Sequence, residues 1–217
     1  MYYEEQLFEA VKTEDYERIK DLTIPKTSIH IYNNQPLRIA CGLGNLDMIK
    51  FLIKLGADIR AFPYGPLYEG CKSGHVHVVE FILSQDFSFE KEMRDAVGIS
   101  ATCGHLEIIV ALYERCKGTE YMMDAMRCGF TRACEEGKVE VAAYLLSKGV
   151  DIHLWYDTAL IDATIKGHLP VLKMLFEKDT FDKSLSHALA MANKYGHVEI
   201  IEFLNSQLLL SNSRKAT

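Results

Sequence analysis

The feature that most constrains this chain is a motif that recurs about every 30 residues. Each copy begins with a glycine and carries apolar side chains two, four, five and eight residues later. The six glycines are Gly44, Gly74, Gly104, Gly137, Gly167 and Gly196, and a seventh, degenerate copy has Glu14 in their place. Of the 28 sites (four in each of seven copies), 27 are apolar or aromatic, and Arg18 is the exception. This spacing is typical of one helix face, so it predicts a helix after each glycine.

A second helix is predicted before each glycine. Four residues upstream the side chain is always small, as in Ala10, Ala40, Gly70, Ser100, Ala133, Ala163 and Ala192. Small residues at a fixed register allow neighbouring helices to approach closely. Two short helices cannot bury their own apolar faces, so each repeat must stack on the next. The predicted fold is therefore an all-α solenoid of about seven helix-turn-helix repeats.

Several stretches resemble ankyrin repeats. They include Pro36-Leu37-Arg38-Ile39-Ala40 before Gly44-Asn45-Leu46, then Gly56-Ala57-Asp58-Ile59, and Thr158-Ala159-Leu160 before Gly167-His168-Leu169. The resemblance implies short β-hairpin or loop fingers between helix pairs. Because most copies span about 30 residues rather than the usual ~33, the chain resembles the compact ankyrin arrays of large DNA viruses of amoebae.

The predicted ankyrin-repeat domain spans residues 1–210. A degenerate capping repeat at 1–24 opens it, a final repeat at 181–210 closes it, and a polar tail follows at 211–217. Residues 84–100 and 116–128 lack a clear finger, and residues 90–97 have the composition of a helix instead.

Charge and cysteine usage exclude several classes of function. The net charge is −6 and no cluster of Lys and Arg is present, which argues against nucleic-acid binding. No apolar run approaches the length of a membrane span, and the first residues do not resemble a secretory signal. The six cysteines include no C-x-x-C pair. The chain is therefore expected to be intracellular and cytoplasmic, in the host cytoplasm if it is viral, with reduced thiols.

No residue pattern predicts catalysis, a cofactor or a metal ion. The histidines that follow a glycine (His75, His105, His168 and His197) are expected to cap the second helix and to bond locally. Cys41, Cys71 and Cys134 are expected to be small buried apolar side chains. The chain contains no Gly-rich phosphate-binding loop and no G-x-S-x-G motif. The prediction is that the protein is not an enzyme.

The ankyrin resemblance implies binding through finger tips and through the helix positions just before each glycine, on a concave face. The candidate partner-binding residues there are Tyr32, Phe62, Tyr64, Trp155, Tyr156, Tyr195, Lys166 and Lys194. Aromatic side chains at such positions favour binding because they bury much area with few rotors. The alternative is that these rings pack against the neighbouring finger. Glu135 and Glu136 occupy the same helix positions and either form a solvated face or select a basic partner.

The predicted function is a non-catalytic module that binds another protein, as a monomer. Two alternatives remain open. The chain could be an adaptor that recruits a host protein to a ubiquitin ligase or another complex. It could also be a structural protein that self-associates through the C-terminal end, where three consecutive leucines occur at 208–210.

Overall fold

A computed structural model describes residues 3–23, 29–60, 65–85, 88 and 90–215 of the 217-residue chain. The described residues form fourteen α-helices and no strand. The helices are α1 (Tyr3–Lys12), α2 (Tyr16–Leu22), α3 (Ile31–Leu43), α4 (Leu46–Lys54), α5 (Pro66–Ser73), α6 (Val76–Leu83), α7 (Glu90–Cys103), α8 (Leu106–Cys116), α9 (Glu120–Glu135), α10 (Val139–Ser147), α11 (Leu154–Lys166), α12 (Leu169–Lys178), α13 (Leu185–Tyr195) and α14 (Val198–Lys215). The all-α prediction is confirmed.

Each repeat is a pair of helices joined by a turn in the left-handed region, as the glycine spacing predicted. Gly44 ends α3 at φ 74° and Gly167 ends α11 at φ 83°. In the degenerate first repeat, Glu14 adopts φ 58° at the equivalent position. The same turn therefore forms without glycine between α1 and α2, at the cost of backbone strain that glycine avoids.

The core contains most of the positions four, five and eight residues after each glycine, whereas the position two residues after it is half-buried or, at Val198, exposed. In the second repeat, Met48, Ile49 and Leu52 are fully buried, as are Ala40 and Cys41 on the first helix. Burial of apolar area stabilises such contacts by roughly 25 cal/mol per Å². Stacking of adjacent repeats is thus the main source of stability here.

The chain divides into two compact units. Unit 1 comprises residues 1–100 and 107–122, and unit 2 comprises residues 101–106 and 123–217. In unit 1, neighbouring repeats are tied by an ion pair between Arg38 and Glu69 (Nη2 to Oε1, 2.8 Å). In unit 2, the ring of Phe176 packs edge-on against the rings of Phe181 and Phe203, with distances between ring centroids of 5.1 and 5.5 Å.

Two of the histidines that follow a glycine, His75 and His197, bond to the preceding repeat, so the prediction of a local bond was wrong for them. His75 Nε2 lies 3.0 Å from the carbonyl oxygen of Gly42, and His197 Nε2 lies 2.9 Å from that of Ile165. His75 stands at the N-cap of α6 without a side-chain cap bond to that helix. The ring instead lies across the turn glycine of the preceding repeat. A Cβ on Gly44 would stand 2.7 Å from His75 Nδ1, so that glycine is needed for space as well as for φ.

Two further segments, residues 90–97 and 211–215, are helical in the structure. The helical composition at 90–97 is confirmed, because α7 and α9 begin at Glu90 and Glu120 and take up residues that form fingers in other repeats. Residues 211–215, within the expected polar tail, continue α14, which extends to Lys215. No Gly or Pro interrupts this segment, Ser211 is buried, and the Ser213 hydroxyl donates to the Leu209 carbonyl at 2.9 Å.

Candidate partner-binding surface

Two of the predicted finger segments fold into a left-handed turn of three consecutive residues. In unit 1 the turn is residues 32–34, with φ angles of 46°, 59° and 56°. In unit 2 it is residues 155–157, with φ angles of 50°, 59° and 63°. None of these residues is glycine, although the left-handed region costs other residues about 1–2 kcal/mol each. The sequence predicted a hairpin or loop and missed this conformation.

The turn in unit 1 is held by an amide side chain. The Nδ1–H of His30 donates to Oδ1 of Asn34 over 3.0 Å, which spans the turn. The backbone N–H of Asp58 donates to the same oxygen at 2.9 Å, and Asn34 is buried. The side chain that closes the turn therefore also ties it to the next repeat.

The turn in unit 2 uses a carboxylate at the same place. His153 Nδ1 donates to Asp157 Oδ1 at 2.6 Å, and the hydroxyl of Ser184 donates to Asp157 Oδ2. On its other side, His153 Nε2 lies 3.4 Å from Asp179 Oδ2. The imidazole thus lies between two carboxylates, and Asp157 is buried.

This arrangement shifts two pKa values. Burial would lower the pKa of His153, but the hydrogen bonds and charges of Asp157 and Asp179 outweigh it and raise that pKa above its ordinary value. The pKa of Asp179 is lowered, first because the Thr180 backbone N–H donates to its carboxylate and then because of His153. Asp179 therefore stays ionised, and His153 carries a proton to higher pH than a free histidine.

Both turns present aromatic side chains to solvent. Tyr32 is 65% exposed, Trp155 is 49% exposed and Tyr156 is 97% exposed. Of these, Tyr32 has a ring neighbour, Phe8, at 6.2 Å between centroids. The alternative that the rings are buried against a neighbouring finger therefore does not describe Tyr156.

A cleft of about 670 Å³ adjoins the turn in unit 2. One side is His153 with the turn residues 155–157, and the other is the loop 179–184 between α12 and α13. The Phe181 side chain in this loop is buried, and its ring centre lies 4.9 Å from that of His153. We call this the Trp155 cleft. No sequence motif marked the loop 179–184 as part of a site.

The other predicted residues in unit 2 stand at the ends of the first helices. Tyr195 is 48% exposed, and its ring stacks on His197 with centroids 6.5 Å apart. Lys194 Nζ lies 5.4 Å from the centre of the Tyr195 ring. Lys166 Nζ lies 3.6 Å from Glu135 Oε1, so the charge of Glu135 is partly neutralised within the protein.

Phe62 and Tyr64, the remaining predicted residues, lie outside the described residues. The structure brings Trp155 and Tyr156 together on one turn. It places Lys166, Lys194 and Tyr195 at the C-terminal ends of α11 and α13. Tyr32 belongs to unit 1.

The thiols predicted to be core side chains are buried: Cys41, Cys71 and Cys134. Burial raises the pKa of Cys71 and of Cys134 to about 12, so neither is a thiolate at neutral pH. Within the described ranges, no group of three or more His, Cys, Asp or Glu side chains is placed to hold a metal ion. None of the helices, as far as their residues are described, is both long and apolar enough to cross a membrane.

Comparison with known proteins agrees with this geometry. The human ASB11 ankyrin repeat domain, known from a crystal structure, has a similar fold with a TM-score of 0.65 and 21% identity, covering 79% of this chain and 83% of that one. Among curated proteins, the ankyrin repeat and KH domain-containing protein mask-1 of Caenorhabditis elegans is 24% identical over 181 residues, 65% of this chain. A Caenorhabditis briggsae protein of the same description, CBG24701, is 26% identical over 130 residues, 59% of this chain. The chain spans only 7% and 5% of the length of these two relatives.

A family model described as ankyrin repeats (3 copies) matches residues 7–95 and 130–212, which is most of the chain. Ankyrin-repeat domains are in general non-catalytic scaffolds that bind other proteins. Together with the paired helices and the left-handed turns between them, this match shows that the chain belongs to the ankyrin-repeat family.

Proposed function

We propose that this chain is a non-catalytic interaction module that binds a partner protein through the aromatic side chains of its left-handed turns, foremost Trp155 and Tyr156. The observation that carries the proposal is the exposure of Tyr156. Its side chain is 97% exposed, although its backbone lies in the left-handed region at φ 59°. A glycine would fit that backbone with less strain, and the ring of Tyr156 buries almost nothing within the chain. The residue therefore serves something other than the fold.

The neighbouring residues support binding of a protein. Exposed aromatic rings with few rotors are typical of the residues that contribute most to interface affinity. Tyr32 in unit 1, and Tyr195 with Lys166 and Lys194 in unit 2, extend the set of candidate contacts. We also propose that binding takes place inside the cell, where buried thiols such as Cys41 and Cys71 stay reduced.

The test is affinity capture from cell lysate with three immobilised proteins. They are the natural chain, a Trp155→Ala/Tyr156→Ala variant, and a control in which the exposed apolar residues Val198 and Leu209 are changed to alanine. We expect a protein that is retained by the natural chain and the control but lost from the aromatic variant. Equal retention by all three proteins would contradict the proposal.

A second candidate, self-association, is favoured by one observation. Leu209 and Leu210 on α14 are exposed although both are large and apolar. If this end joins two copies, sedimentation velocity will show a dimer that dissociates on dilution and is lost in Leu209→Glu. A monomer at all concentrations would rule this candidate out.

A further inference from the structure

We propose that the Trp155 cleft binds the guanidinium group of an arginine in an exposed segment of the partner protein. This inference rests on the proposed function, and it names the chemistry of the partner. Three properties of the cleft carry it: its charge, its aromatic side and its carboxylates that are already fixed in place.

The cleft is acidic. Its lining contains the carboxylates of Asp157, Asp179 and Asp182 and one ammonium, that of Lys183. The formal net charge of the lining is therefore −2 (three negative charges and one positive) when His153 is neutral, and −1 when His153 is protonated. A partner side chain that enters this cleft is therefore favoured if it is a cation.

The aromatic side suits a flat cation. Trp155 and Tyr156 line the same cleft, and both rings are available to a partner. A guanidinium group stacks on such a ring face and at the same time presents N–H donors in its plane. An ammonium group can lie over a ring but is a more strongly hydrated point charge, so arginine is preferred to lysine.

The carboxylates are held in place before a ligand arrives. Asp157 bonds His153 and Ser184, while Asp179 accepts from the Thr180 backbone N–H at 2.6 Å. A carboxylate has about four lone-pair sites, so these bonds leave room for further acceptance. Because the Asp179 pKa is lowered, its charge persists across the neutral range. A fixed acceptor loses little conformational entropy on binding.

The turn in unit 1 offers an internal contrast. It has the same backbone, but its second and third residues are Asn33 and Asn34, which carry no charge. The carboxylate of Asp58 beside it lies 3.5 Å from the guanidinium of Arg60. Among the described residues, the combination of exposed rings with three carboxylates occurs at the turn in unit 2.

The cleft provides its own probe, since Trp155 is the single tryptophan of the chain. Trp155 fluorescence is followed while acetyl-Gly-Gly-Arg-Gly-Gly-amide is added to the 217-residue protein, and the titration is repeated with citrulline and with lysine in place of arginine. Citrulline keeps the shape of arginine without its charge. We expect a dissociation constant of about 1 mM for a single anchored side chain, about tenfold weaker binding of citrulline, and intermediate binding of lysine. Equal binding of the arginine and citrulline peptides would overturn the proposal.

Two further experiments test whether the peptide binds in the cleft and whether the preferred cation belongs to a protein or to a small molecule. An Asp179→Asn/Asp182→Asn variant should bind the arginine peptide about fivefold more weakly. A Glu199→Gln/Glu202→Gln control, with the same change in net charge, should bind normally. If both variants weaken binding alike, the cleft is not the binding site. If the double variant does not fold, Asp182→Asn alone replaces it, and an unchanged affinity of that variant would also show that the cleft is not the site. Free arginine should bind no more tightly than the peptide, because its α-carboxylate is repelled by the acidic cleft, its α-ammonium is attracted, and it lacks the peptide groups on either side. Tighter binding of free arginine or of putrescine would point to a small metabolite and overturn the assignment.

Failure of this inference can be separated from failure of the proposed function. If lysate capture still depends on Trp155 and Tyr156 while the arginine and citrulline peptides bind alike, the interaction surface stands and the arginine assignment falls. If capture is also indifferent to Trp155 and Tyr156, both fall.

Discussion

The two left-handed turns share a backbone and differ in their chemistry. In both, a histidine donates to the Asx side chain four residues later, and that Asx also accepts from the following segment. In unit 1 the Asx is Asn34 and the contacts are neutral. In unit 2 it is Asp157, and the adjacent loop adds Asp179 against the same histidine. Both turns are therefore tied to the following segment, and the turn in unit 2 also forms one side of a charged, aromatic cleft.

This difference separates what shapes the turn from what it presents. The histidine and the Asx side chain span the turn, and they occur in both units. The residues between them face outward and differ: Tyr32 and Asn33 in one turn, Trp155 and Tyr156 in the other. The histidine and the Asx side chain stabilise the turn, and we infer that the outward-facing residues between them bind a partner.

The largest expected effect comes from removing the Asx side chain. Asp157→Ala leaves the Nδ1–H of His153 and the Ser184 hydroxyl without their acceptor, so we expect the free energy of unfolding to fall by about 3 kcal/mol. Asn34→Ala removes two neutral hydrogen bonds and should cost about 1–2 kcal/mol. Urea denaturation followed by circular dichroism measures both, and Trp155 fluorescence follows unit 2. If the two variants lose equal stability, charge does not distinguish the turns.

A smaller effect should depend on pH. Because the folded-state pKa of His153 is raised, its ion pairs stabilise the fold fully below the ordinary histidine value of about 6.5, and that contribution is lost as pH rises through the folded-state pKa. We expect His153→Gln to cost about 1 kcal/mol at pH 5.5, a figure reduced for the partial exposure of the ring. The cost should shrink by pH 8.5. A cost that grows with pH, measured by urea denaturation across this range, would contradict the ion-pair account.

The smallest effect is a gain in stability. Tyr156→Gly relieves left-handed strain and loses almost no packing, so we expect a net increase of about 0.5–1 kcal/mol after the larger unfolded-state entropy of glycine is subtracted. Asn33→Gly, at the same place in unit 1, should change stability by no more than a few tenths of a kcal/mol, because asparagine tolerates the left-handed region. Thermal denaturation compares the two variants. A destabilised Tyr156→Gly would show that the tyrosine does contribute to the fold.

The helical repeats could be predicted from the sequence because burial imposes a strict register. Most of the apolar positions four, five and eight residues after each glycine, and the small residues before it, correspond to the buried faces of paired helices, whereas the position two residues after the glycine is not buried. The helical character of residues 90–97 could be predicted from their composition. Here local preference and tertiary packing agree.

The left-handed turns could not be predicted in the same way. Short periodic patterns describe helices and strands, whereas these turns depend on single contacts between His30 and Asn34, and between His153 and Asp157. A signal does exist in the recurrence of Ile-His with an aromatic residue two positions after the histidine and an Asx two further on. The inter-repeat bonds of His75 and His197 were missed because their acceptors, backbone carbonyls of the preceding repeat, leave no trace in composition.

Part of the candidate surface followed from the family resemblance, and part did not. Trp155 and Tyr156 were predicted as contacts because finger tips bind partners in ankyrin repeats, and their role stays a prediction. The loop 179–184 completes the cleft only through tertiary contact, by way of Asp179 and Ser184. No pattern along the chain connects it to the turn.

The most direct test of the central claim is photo-crosslinking from the turn itself. A p-benzoylphenylalanine placed at position 156 of the 217-residue protein keeps an aromatic side chain there, and the same probe at position 209 serves as an exposed control. We expect one partner to be crosslinked in cell lysate at position 156, to be absent at position 209, and to be displaced by excess unmodified protein. No crosslink at position 156, or the same products from both positions, would contradict it.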